Sequence, residues 1–342
     1  MRFIGSKRLL LDNIENQIKN YIPHWENLNT FCDLFAGTGI VGKHFKKYFK
    51  IISNDLLFFS YAIQKTEIGL NKTPKFEELK KYIGKDPLQF LNNEINYCCE
   101  RYFIAENYSP YSGSLRKYLT ESNSLKIDFW RQRLNKWNEL DLISEGEYFY
   151  ILSAIINSVP FVSNIAGTYG AFLKTWDKRA FKNIFLEKPL IYNNQRNNEN
   201  YNQDANLLID EIEGDILYID PPYNSRQYLP NYHLLETIAK YDNPVLKGLT
   251  GIRDINKQEK SQYCSKLYAE NILFELIKKA KFKYILISYN NEGIIPEENL
   301  DYKLMEISKG IFKKKIYPYR RYKRIKDKVN FQLNELLYLI EK

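Results

Sequence analysis

Asp215-Ile-Leu-Tyr-Ile-Asp220-Pro221-Pro222-Tyr223 decides how the rest of the chain is read. Residues 216–219 are apolar or aromatic, β-branched at both ends, and they stop at an acid and two prolines. The pattern predicts a buried central strand that ends abruptly, because proline cannot donate to a sheet ladder. In an open α/β sheet, ligands sit outside the carboxyl ends of the strands. Asp220, Pro221, Pro222 and Tyr223 are therefore expected at the mouth of a site. Two prolines stiffen the turn and line it with bare carbonyls. A carboxylate beside a carbonyl offers two acceptors, which suits the two hydrogens of an exocyclic amine. Tyr223 adds a face on which a base can stack. The plainer alternative is an Asp-Pro turn that merely ends a strand.

Upstream, Phe31-Cys32-Asp33-Leu34-Phe35-Ala36-Gly37-Thr38-Gly39-Ile40-Val41-Gly42 predicts a strand, a glycine-rich turn and a helix. Gly37, Gly39 and Gly42 fit a G-x-G-x-x-G pattern that lets backbone approach a ligand. Asn54 and Asp55 end the next apolar run, where an acid suits ribose hydroxyls.

A Phe-Ala-Gly-Thr-Gly turn followed by a late Asp-Pro-Pro-Tyr resembles the amino-methyltransferases that use S-adenosylmethionine. The order resembles the Dam-like, or alpha, group of DNA adenine methyltransferases. That resemblance implies a Rossmann-like α/β fold: a mostly parallel twisted sheet, a closing antiparallel hairpin and a mainly helical inserted subdomain. It implies a catalytic domain over 1–65 and 197–342, with a target-recognition insert over 66–196. Residues 3–7 resemble the family's first motif, with Ser6 replacing a glycine and Phe3 standing where tryptophan is common. Asp33, Phe35, Ala36, Gly37, Thr38, Gly39, Asp55 and Asp204, with Phe3 and Lys7, would then hold S-adenosylmethionine. Lys7 could instead belong to a capped surface helix, and Asp204 could be an N-cap. The implied activity is methylation of adenine N6 in duplex DNA, as the modification arm of a restriction-modification system. Transfer to RNA or to cytosine N4, or a silent DNA-binding module, are the alternatives.

Composition is compatible with that reading. The chain has 342 residues and a net charge of +9, which suits a polyanion partner. No apolar run is long enough for a membrane span, and the start lacks a signal pattern, so a cytoplasmic protein is expected. Cysteines at 32, 98, 99 and 264 and histidines at 24, 44 and 233 show no metal spacing. No metal and a monomeric or weakly associating chain are expected. Residues 76–82, 87–101, 129–140 and 147–161 read as helices of the insert, and 195–202 as a surface linker. The loop 164–174 places Tyr169 and Lys174 near DNA, unless it is only a glycine-rich junction. Arg226, Tyr228 and Tyr232 follow the Asp-Pro-Pro-Tyr turn, where a base would enter.

Between Lys313 and Lys328 nine basic residues face one acid, Asp327, with Tyr317, Tyr319 and Tyr322 interleaved. Arg320, Arg321, Lys323 and Arg324 are expected to bind phosphate from the closing hairpin. Each phosphate neutralised contributes a slope of about −0.9 in log K against log salt. Replacing Arg320 and Arg321 by alanine should weaken binding to all DNA sequences alike and flatten that slope by roughly 1 to 2. An altered methylation sequence at unchanged affinity would instead mean that the hairpin reads bases.

Overall fold

In the computed structural model, residues 4–94, 99–254, 260–318 and 333–342 are described. Phe3, Arg320, Arg321, Lys323 and Arg324 lie outside them. Nine strands are present among these residues: β1 (Thr30–Asp33), β2 (Lys50–Asn54), β3 (Glu199–Tyr201), β4 (Glu213–Ile219), β5 (Leu246–Lys247), β6 (Ile252–Arg253), β7 (Lys281–Asn290), β8 (Phe312–Pro318) and β9 (Asn334–Glu341). The chain divides into two compact units. A sheet unit comprises Gly5–Leu56, Asn194–Gln227 and Lys260–Lys342, and a helical unit comprises Met1–Ile4, Leu57–Asn193 and Tyr228–Glu259.

The sheet unit carries a seven-stranded sheet in the order β3-β2-β1-β4-β7-β9-β8. Strands β3, β2, β1, β4 and β7 pair in parallel, and β9 runs antiparallel to both β7 and β8. This is the mixed α/β, mostly parallel arrangement expected from sequence. The strand order reverses at β1, which lies between β2 and β4, so the carboxyl ends of β1 and β4 border the switch point where such sheets bind ligands. The central strand is buried from Ile216 to Ile219, as its apolar composition requires. The stretch 195–202 is more than a linker, because Glu199–Tyr201 pairs with β2 as an edge strand. Its polar side chains hid this, since an edge strand needs backbone pairing and little apolar burial.

At the amino end of the sheet, a single carboxylate ties β1 to β4. Asp215 Oδ2 accepts from the N–H groups of Asn29 and Thr30 at 2.7 and 2.9 Å and from the Thr30 hydroxyl at 3.0 Å. The Thr30 hydroxyl in turn accepts from the Asp215 N–H at 2.6 Å. Gly214 allows this approach, since a Cβ there would lie 2.5 Å from the Thr30 hydroxyl.

The helical unit is held by buried acids set at helix starts. Asp128 accepts from the Ile104 and Ala105 N–H groups and from the Tyr241 hydroxyl. Glu236 accepts from the Phe58 and Phe59 N–H groups. Each satisfies orphan donors and opposes the positive end of a helix. The turn between β5 and β6 is held by its carbonyls. Arg116 donates to Gly248 and Leu249 at 3.2 and 3.1 Å, and the Tyr118 and Tyr108 hydroxyls donate to Thr250 and Gly251 at 3.0 Å each. Among the described residues, no helix is long and apolar enough to cross a membrane.

Removing the Asp215 carboxylate leaves two backbone N–H groups without their partner. Asp215→Ala should lower unfolding free energy by about 1–3 kcal/mol, read by denaturant titration. An unchanged midpoint would show that water replaces the carboxylate without loss.

Candidate active site

Asp220 closes β4 and lies inside a charged cluster of three groups. Lys7 Nζ lies 3.0 Å from Asp220 Oδ1 and 2.7 Å from Glu335 Oε1. The side chains of Lys7, Asp220 and Glu335 are 4%, 16% and 3% exposed. Burial alone would lower the Lys7 pKa, but the two carboxylates outweigh it and hold the ammonium well above its usual range. Burial pushes Asp220 up to about 7; Lys7 opposes the rise and Glu335 adds to it. Lys7 is therefore buried beside Asp220 and does not stand on a solvated helix face. It precedes the helix Leu11–Tyr21 in a short 3₁₀ turn, Lys7–Leu9.

Glu335 was not legible as a site residue. Its one signal is an acid opening an otherwise apolar strand, Leu336 to Ile340, which had to be buried with it. The Asn290–Glu335 register pair of β7 and β9 puts it at the carboxyl end of β7, and the Ser288 hydroxyl donates to it at 2.7 Å.

Tyr223 is half-buried three residues past Asp220. Its carbonyl accepts from the Ile294 N–H at 2.9 Å, and its ring meets Tyr289 edge-on at 6.2 Å between centroids. Lys7 Nζ is 5.7 Å from the Tyr223 ring centre. Gly293 fits closely against Tyr289, leaving no room for a Cβ. Pro221 is buried and Pro222 half-buried.

The glycine turn after β1 is ordered by side chains from its neighbours. Gly37 and Gly39 take φ of 53° and 73°, a left-handed conformation that costs glycine little. Asp55 Oδ2 accepts from the Gly37 N–H at 2.8 Å. Asp33 is 1% exposed and accepts from the Gly42 N–H at 2.9 Å. Ala36 N–H donates to the Asn54 carbonyl at 2.9 Å, while Phe35 and Thr38 remain partly exposed. Asn54 was read only as Asp55's neighbour. Its amide donates to the carbonyls of Leu34 and Gln203 at 3.2 and 3.1 Å, and its oxygen accepts from the Gln203 N–H at 3.1 Å. It thus joins the β1 turn to the segment before Asp204. Asp204 caps the helix Ala205–Leu208, accepting from the Asn206 N–H at 2.8 Å. Asn206 accepts from the Tyr263 hydroxyl at 2.7 Å, and Tyr263 packs edge-on against Phe35 at 5.0 Å.

The residues expected to meet DNA fall into two groups. Arg226 and Lys174 are exposed, and Tyr228 is partly exposed. Tyr169 and Tyr232 are core residues, 2% and 1% exposed, which corrects the expectation that they face DNA. The Tyr169 hydroxyl pairs with Ser163, and the Tyr232 hydroxyl accepts from the Ile4 N–H. Burial favours such rings when the hydroxyl finds a partner.

Comparison with known proteins agrees with this geometry. The family model described as D12 class N6 adenine-specific DNA methyltransferase matches residues 3–301. The type II methyltransferase M.FokI of Planomicrobium okeanokoites is 48% identical over 345 residues, covering 100% of this chain and 53% of that protein. Modification methylase StsI of Streptococcus sanguinis is 42% identical, covering 100% and 52%. The type II methyltransferase M.NlaIII of Neisseria lactamica is 40% identical, covering 86% and 85%. The chain thus spans about half the length of the first two relatives.

Burial pushes Asp33 up to about 8, against the bond from Gly42, with Asp220 and Asp55 adding to the rise. An unfolded aspartate titrates near 4. Between those values the folded chain holds a proton that the unfolded chain releases, so stability falls as pH rises through the window. Asp33→Asn keeps an acceptor for Gly42 and removes the charge. In thermal melts the variant should gain on the parent as pH rises from about 4 to about 8. A difference independent of pH would show that Asp33 is not held in that state.

Proposed function

The chain belongs to the D12 class N6 adenine-specific DNA methyltransferase family, and from that membership and the site we infer that it methylates the exocyclic N6 amine of an adenine flipped out of duplex DNA, with S-adenosylmethionine as donor. One observation carries the reading. Asp220 stands at the carboxyl end of the central strand with Oδ1 on Lys7, and the bare carbonyls of a Pro-Pro turn come next. Asp220 Oδ2 and the Pro221 carbonyl are the two acceptors for the amine hydrogens. Accepting both directs the nitrogen lone pair away from the turn, toward the electrophile. As the nitrogen gains positive charge, the carboxylate stabilises it without first acting as a strong base. Tyr223, braced by Tyr289, supplies the stacking face that offsets part of the cost of unstacking the base.

The donor set suits the cofactor. Asp33, Asp55, Asp220 and Glu335 stand around the ends of β1, β2, β4 and β7, with Lys7 on the last two acids, and a positively charged ligand there would favour the ionised forms of Asp33 and Asp220 that burial disfavours. S-adenosylmethionine, when bound, supplies an electrophilic methyl on a sulfonium cation. Gly37 and Gly39 allow close backbone approach, Asp55 is placed for the ribose, and Phe35, Ala36, Thr38, Asp204 and Phe3 complete the proposed cofactor contacts. The insert 66–196 is assigned target recognition, with Lys174 exposed on it and Arg226 exposed beside the catalytic turn. The names of the relatives favour a modification role beside a restriction enzyme.

Tritium transfer from labelled cofactor to duplex DNA, RNA and protein should label the DNA, at adenine N6. Label found only in RNA or protein would refute this reading. Asp220→Ala should retain cofactor affinity and lose about 10²–10³ in transfer rate, the usual cost of one preorganised group. Asp55→Ala should weaken cofactor binding in calorimetry, with a smaller loss of rate once cofactor saturates. Near-normal turnover in the first variant, or unchanged affinity in the second, removes that residue from its role.

A further inference from the structure

Lys7 is shared unequally. Its Nζ lies closer to Glu335 Oε1 than to Asp220 Oδ1, at 2.7 against 3.0 Å. The Ser288 hydroxyl donates to the same Glu335 oxygen at 2.7 Å. Among the described residues, Glu335 therefore receives two donors, one of them charged, where Asp220 receives one. Two buried carboxyls face a single ammonium, and the uncompensated negative charge is costly in a site with little water. That excess raises the proton affinity of Asp220, with burial as the larger cause and Glu335 adding to it. Among the described residues, the other groups facing the cluster are Tyr218 and Tyr223 around Lys7 and Asp33 beside Asp220, none of them a cation.

We propose that Glu335 is a positioning residue for methyl transfer: it draws the Lys7 ammonium toward β9 and weakens its hold on Asp220, so that Asp220 keeps its proton to higher pH. The upward displacement of Asp220, by burial first and with Glu335 adding to it, agrees with this division. Because amine recognition needs Asp220 as an acceptor, Glu335 sets the acidic limb of the pH profile without touching the substrate. The kinetic part rests on the proposed function, whereas the protonation part does not.

The test pairs two readouts on the full chain. Carbon-13 NMR of aspartate carboxyls follows Asp220 in the ligand-free chain, its signal assigned by loss in Asp220→Asn. Single-turnover methyl transfer to duplex DNA gives the pH profile. Glu335→Gln keeps the shape and removes the charge, so the Asp220 midpoint and the acidic limb should both move to lower pH by about one unit. Glu335→Asp, which keeps the charge, should restore the parent midpoint. Ser288→Ala removes only the neutral donor to Glu335 and should move the midpoint the same way by less. An unmoved Asp220 midpoint in Glu335→Gln, or in Ser288→Ala should the first variant not fold, overturns the proposal. So does an equal loss of rate at every pH, the mark of a merely structural role. A parent chain that titrates as described but labels no DNA would instead refute the proposed function and leave this inference standing.

Discussion

A buried ammonium between two carboxylates ties together the carboxyl ends of the central strands. Lys7, Asp220 and Glu335 come from the start of the chain, the end of β4 and the start of β9. None could be buried alone, because removing one partner from such a cluster strands a charge in a poorly solvated site. The cluster therefore makes the entry into the first helix, the central strand and the closing strand interdependent. It also places the Pro-Pro turn, since the residue that ends the strand is the one Lys7 grips.

The glycine turn follows the same logic with hydrogen bonds in place of charge. Asp33 and Asp55 each accept a backbone N–H of the turn or of the helix after it. Asn54 uses both ends of its amide to hold two loops together. Short polar side chains at strand ends act here as backbone partners first, which orders the turn before any ligand arrives.

The helical unit spends its polar groups differently. Its buried acids satisfy helix starts, and its tyrosines and one arginine satisfy the carbonyls of a single turn. A glycine-rich loop around Tyr169 and the position of Tyr232 after the Asp-Pro-Pro-Tyr turn made both look like surface recognition residues. Both are consumed in the core, because a tyrosine whose hydroxyl has a partner buries as readily as phenylalanine.

Local rules were enough to read the central strand, the glycine turn and the acid after β2. Strand burial, proline stops and glycine conformations depend on neighbours within a few residues, so the sequence by itself determined them, together with the parallel α/β class and the Asp-Pro-Pro-Tyr turn. Other features depend on pairing across the chain. The edge strand at Glu199–Tyr201 exists because β2 offers it a free ladder. Glu335 reaches Lys7 only through the β7–β9 register. Hydrogen bonds and ion pairs between residues hundreds of positions apart carry no local periodicity, so tertiary structure alone decided which acids pair with Lys7 and which tie backbone.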